Sequence, residues 1–221
     1  MSAFLGPIHY WMYGKIQAQE ELIRCLAAQA AEENWAADLE EYLNSEERSL
    51  DAIIDGDNIH GWLTGRIEDV ESRYAGIVTT LLADHPERLE QIKQGVFSCG
   101  VKYALSDDAA AADCYKRLED CTLNGMPCDG VNIVTDKDES HFSWEQRFDV
   151  HRDIWTKCGG DPAQYYTLRN QFMAGILSKT KFKSAFPAAY TSRPSSWSFI
   201  SRFSFSLSST KSFAYIYRLF P

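Results

Sequence analysis

Two histidines, His9 and His60, stand at matched places in the chain. Residues 8–16 read IHYWMYGKI and residues 59–67 read IHGWLTGRI, an offset of 51 throughout. Ile8/Ile59, His9/His60, Trp11/Trp62, Gly14/Gly65 and Ile16/Ile67 are identical, and beyond them Glu20 matches Glu71. A copied helical hairpin would give that period. In an up-down-up-down bundle its first and third helices run parallel, so the two imidazoles would face each other across the core. Such a pair can hold a transition metal or a haem-like ligand, with the Trp11 and Trp62 rings supplying apolar area beside it. The competing reading is that each imidazole hydrogen-bonds a carbonyl or carboxylate and packs. Gly14 and Gly65 each cost a helix roughly 1 kcal/mol relative to Ala, which points to close approach of the two helices there. Glu20 and Glu71 lie eleven residues past their histidines, roughly 16 Å along a helix axis, too far to share an ion with them. The Glu-x-x-His pairs of di-metal bundles are missing around both histidines. So are the HExxH and HxE…PCxxC zinc signatures.

Six cysteines occur, and no CxxC pair is among them. That argues against a zinc ribbon or a thioredoxin-like centre. Cys25, Cys114 and Cys121 fall within helical apolar patterns and are expected in the core, where free cysteine is common. Cys128 differs. It sits in NGMPCDG, a tight loop, and loops on a rigid scaffold are where chemistry concentrates. With His141 or His151, which follow in the chain, it could form a thiolate nucleophile. Cys158, beside Gly159-Gly160, is a second candidate. His151 stands in RFDVHRDIW. It is expected to be solvated among charges, or to act as an acid or base if the hairpin covers the bundle mouth.

The elements that must position these groups are mostly helical. Apolar spacings of three, four and seven predict helices over 9–33 and, in looser style, 35–47. Asp55-Gly56 marks a turn. Asp57 or Asn58 can cap a helix running to about 84, with Leu63, Ile67, Val70, Tyr74, Ile77, Val78 and Leu81 inward. Further helices are predicted over 86–104, 108–123 and 162–178, the last with Asp161 as cap and Pro162 in its first turn. Between them, 131–150 reads as a β-hairpin whose Phe142, Trp144, Phe148 and Val150 share one face. The fold class expected is mainly α: an antiparallel bundle with a small hairpin and a C-terminal helix, one domain over 1–178.

Charge divides the chain. Of its 221 residues, 1–177 carry 15 basic side chains against all 31 acidic ones, whereas 178–221 hold seven basic residues and no Asp or Glu. The tail 179–221, rich in Ser and aromatics, is expected to be disordered. Against this, Trp197, Phe199, Phe203, Phe205 and Leu207 alternate with polar residues as a strand would. The net charge of −9 and a pI near 5.0 give no footprint for a nucleic-acid backbone. No apolar run reaches the length of a membrane span, and MSAFLGPIHYWMYGK lacks the parts of a secretory signal. A cytoplasmic, reducing setting is therefore expected, in which disulfides are not the default.

The opening FLGPIHYWMYGKI resembles the start of uncharacterised bacterial helical proteins with LGPIHxWLY-type N-termini. That resemblance implies a helical body and carries no activity. The layout of helices, a hairpin and a Cys-containing segment is also similar to that of thiazoline-carboxylate hydrolase-like proteins, which implies amide or ring-opening hydrolysis. Three functions therefore stay open. The first is a metal or small ligand held through His9 and His60. The second is a Cys-dependent hydrolase built on Cys128, and the third is a non-catalytic module whose acidic face docks basic partners.

Overall fold

The computed structural model describes residues 4–35, 37–46, 48–186 and 201–207. These are mainly helical, with one small antiparallel sheet. The helices are α1 (Pro7–Glu32), α2 (Leu50–Ile53), α3 (Ile59–Leu82), α4 (Leu89–Val101), α5 (Ala111–Cys121), α6 (Arg152–Lys157) and α7 (Pro162–Leu177). The strands are β1 (Asn132–Lys137), β2 (His141–Gln146), β3 (Phe182–Ala185) and β4 (Ser201–Leu207).

The α3 boundary follows the sequence chemistry: the Asn58 side chain accepts from the Gly61 amide, satisfying one of the free N–H groups of the first turn. Its whole predicted inner face, Leu63 to Leu81, is buried. Asp161 caps α7 in the same way, accepting from Ala163, with Pro162 at the first helical position. Among the described residues of 35–47, expected to be helical, there is only a short 3-10 turn at Glu40–Tyr42. Apolar spacing there serves packing of an irregular segment: Leu39 is buried, and the Tyr42 hydroxyl shares a hydrogen bond with Thr80 on α3.

Helices α1 and α3 run in the same direction, since Tyr13 meets Trp62 and Glu20 meets Arg73 further along both. The repeat also gives both helices the same local contact, with Lys15 lying over the Trp11 ring at 4.3 Å and Arg66 over Trp62 at 5.0 Å. Each is a cation–π pair one helical turn apart. Gly14 and Gly65 do not mark a close approach, because a Cβ at either position would meet nothing within 4 Å. The tight crossing lies elsewhere, between α4 and α7. There a Cβ on Gly100 would run into the Phe172 carbonyl, and one on Gly175 into the Phe97 carbonyl.

Helix α4 runs against α1 in the opposite sense. Lys102 reaches Glu21, Cys99 faces Cys25, and the Gln91 carbonyl accepts from Gln29. This antiparallel seam carries the site described below.

The hairpin forms over β1 and β2, with Phe142 and Trp144 buried. The paired run stops at Gln146, and Phe148 stands 51% exposed rather than on the greasy face. The sheet order is β1-β2-β4-β3, all antiparallel. The tail expected to be disordered thus supplies two of the four strands. Trp144 pairs with Phe203 and Phe142 with Phe205, and Trp144 stacks on Phe203 with ring centroids 5.4 Å apart. Tyr115 of α5 covers Phe142 at 4.2 Å. The alternation read at Phe203 and Phe205 is realised by their burial, whereas Trp197 and Phe199 lie outside the described residues.

Candidate thiol centre

Glu21 and Cys25 stand one turn apart on α1, and Cys99 and Lys102 one turn apart at the end of α4. Each pair therefore occupies a single helix face, and the antiparallel seam brings the faces together. The two sulfurs lie 2.6 Å apart. The Lys102 ammonium sits 3.4 Å from the Cys25 sulfur and donates to Glu21 Oε1 at 2.6 Å. Its place just past the last turn of α4 suits a cation, since helix C-termini carry negative potential. Arg24 reaches Glu21 Oε2 from the other side at 3.0 Å.

The two thiols are not alike. Cys99 is 1% exposed and Cys25 only partly buried. The hydrogen bond with Cys99 and the charge of Lys102 bring the Cys25 thiol down to about 7, against the upward push of burial. The same contact and burial raise Cys99. Lys102 is itself raised, chiefly by its hydrogen bond to Glu21. The contact thus favours the thiolate on the partly buried Cys25 and the protonated thiol on the buried Cys99.

Three ligand-type atoms, from Glu21, Cys25 and Cys99, lie within 4.8 Å of one another, and no other such group occurs among the described residues. Two thiolates on tetrahedral zinc stand roughly 3.8 Å apart, given Zn–S bonds of about 2.3 Å. The two sulfurs here are closer than that and in direct contact. The Lys102 ammonium also supplies the positive charge that a cation would bring. The donor set fits sulfur–sulfur chemistry better than a metal.

The residues singled out from the sequence fall elsewhere. His9 accepts from the Gly6 amide through Nδ1 and closes the N-terminus of α1. His60 is exposed in the first turn of α3, with its Nε2 3.7 Å from the Cys128 sulfur. Cys128 is exposed in the Pro127–Asp129 turn, and its imidazole neighbour is therefore His60, not His141 or His151. Trp11 donates to Asp120, and Trp62 packs on Tyr13. His141 sits on β2 beside Ser143 and Asp136. Cys158 contacts the Ser72 carbonyl. Cys114 and Cys121 are buried as expected, and burial raises both thiols, Cys121 to about 11.

His151, expected at the surface, has no exposure at all. Its Nδ1 lies 2.8 Å from Glu71 and its Nε2 3.2 Å from Asn124 Oδ1. Asn124 Oδ1 also accepts from Arg169, which donates to Gln146 as well. Both ring nitrogens thus have a polar partner within hydrogen-bond reach. The matched carboxylates of the repeat, Glu20 and Glu71, are both buried yet pair with different side chains, Arg73 and His151. Two cavities lined by Arg169 measure about 10 Å³ each, about one water apiece. Among the described residues this network lies in the interior and braces it.

The thiol centre is different. A recess of about 320 Å³ opens beside it, with Glu21 and Lys102 in its wall. No protein family, curated protein or solved structure matches this chain.

Proposed function

We propose that this chain is a dithiol–disulfide redox protein in which Cys25 reacts first and Cys99 resolves. The observation that carries the reading is the 2.6 Å approach of two chemically unequal sulfurs beside the Lys102 ammonium. In the reaction, the Cys25 thiolate attacks a disulfide R–S–S–R. A mixed disulfide Cys25–S–S–R forms, and RS⁻ leaves and takes up a proton. Cys99 then gives up its proton and attacks the Cys25 sulfur, forming the Cys25–Cys99 bond and expelling the second RS⁻. Two protein thiols are oxidised and one disulfide is reduced to two thiols.

Mild oxidation of the reduced protein followed by peptide mapping tests this directly. A single crosslink joining the Cys25 and Cys99 peptides, reversed by a dithiol reductant, is expected. In Cys99→Ser the reaction should stop at the mixed disulfide on Cys25. Crosslinks scattered among other cysteines would overturn the proposal.

A second reading rests on Cys128 and the imidazole of His60 at 3.7 Å, a thiol–base pair of the kind used in nucleophilic catalysis. Under it, Cys128 would be the thiol alkylated fastest at neutral pH and His60→Ala would slow it. If Cys25 labels first and His60→Ala leaves Cys128 unaffected, this second reading fails.

A further inference from the structure

We infer that the recess beside Cys25 receives a small zwitterionic disulfide, one carrying both carboxylate and ammonium groups, as the oxidant of the thiol centre; this rests on the redox reading above. At about 320 Å³ the recess falls in the range of small-molecule sites. It shares two residues with the reacting thiol. Glu21 and Lys102 line it, and both contact the Cys25 sulfur, at 3.8 and 3.4 Å. A molecule seated there lies against the groups that hold the thiolate.

The rest of the wall has polar chemistry of both signs. Arg24, Gln17, Tyr103 and Asp120 complete the polar lining. Arg24 engages Glu21 through Nε alone among the contacts described, and its side chain is 46% exposed. Its two terminal nitrogens stay available as a fork for a carboxylate. Asp120 stands across the recess, accepting from Trp11 and Lys116, and a carboxylate has capacity for a further donor such as an ammonium. Cys121 also lines the recess, with its thiol raised by burial, whereas Cys25 adjoins it through its contacts with Glu21 and Lys102 and Cys99 is buried.

The test compares two oxidants on the reduced full-length protein: glutathione disulfide, which is zwitterionic, and bis(2-hydroxyethyl) disulfide, which is uncharged. Rates of Cys25–Cys99 bond formation are normalised to each oxidant's rate with a free thiol. Glutathione disulfide is expected to be faster, to saturate with concentration, and to lose about tenfold of its advantage in Arg24→Gln, the scale of a charge-assisted hydrogen bond. The uncharged oxidant reports whatever change Arg24→Gln makes to thiol reactivity through Glu21, and that change is divided out before the two proteins are compared. Equal normalised rates, linear in concentration for both oxidants and indifferent to Arg24→Gln, would overturn the assignment while leaving the redox reading in place. Failure of both oxidants to form the bond would remove the redox reading and this assignment together.

Discussion

Lys102 and Cys99 decide how Cys25 behaves. An ordinary thiol ionises near 9, and this one does so at about 7 because a neighbouring thiol and an ammonium favour its charged form. Alkylation of Cys25 should therefore rise with pH through a midpoint at about 7 and then level off, whereas an unassisted thiol goes on gaining through 9. Replacing Lys102 by Met removes the opposite charge and should move the midpoint up by about 1 unit, as read from pH-dependent iodoacetamide labelling. A profile unchanged in Lys102→Met would show that the ammonium has no part in it. The residues needed were visible as types in the sequence: Glu21 and Cys25 one turn apart, Cys99 and Lys102 likewise. Their meeting was not, because nothing local says which face of α4 turns toward α1. The histidines drew attention by repetition, yet His9 serves a helix end and His60 stands exposed beside Cys128. Position in a copied motif fixed their local setting and not their partners.

Among the helices, sequence periodicity was most reliable where one face is wholly apolar. The α3 and α7 inner faces were legible residue by residue, and so were their caps at Asn58 and Asp161. It was least reliable over 35–47, where similar spacing packs an irregular segment. Glycine was informative at α4 and α7 rather than at the repeated Gly14 and Gly65. The backbones of Gly100 and Gly175 approach so closely that a Cβ strikes a carbonyl of the facing helix. Since the obstacle is backbone, little can yield. Gly100→Ala should cost about 1–3 kcal/mol or more, whereas Gly65→Ala on exposed helix should gain about 1 kcal/mol. Urea unfolding of the two variants checks the signs. The seam also holds α4 in place against α1, so loosening at Gly100 should slow formation of the Cys25–Cys99 bond.

For the molecule as a whole, the sheet closes the body at one side, and the chain beyond 178 completes it. Strand β4 lies between β2 and β3 and buries Phe203 and Phe205. The charge break at 178 is real in the sequence but does not coincide with the edge of the fold, because aromatic side chains pack regardless of the net charge around them. Truncation after 186 would bare the β2 edge and the faces of Phe142 and Trp144. Loss of two buried phenylalanines costs about 3–5 kcal/mol each, a large share of a domain's stability. The truncated chain should aggregate or unfold where the full chain stays folded, as thermal melting will report. A disulfide between Cys25 and Cys99, 74 residues apart, would in turn stabilise the whole chain by about 4 kcal/mol on loop-closure entropy. Redox state and stability are therefore linked.

The most direct test of the thiol centre is to equilibrate the protein across a series of glutathione redox buffers, quench with acid, and count free thiols by mass. The account predicts a single two-electron transition, in which two of the six thiols disappear together and which is abolished in Cys25→Ser. A protein that keeps all its thiols across the series, or loses two of them equally well in Cys25→Ser, would contradict it.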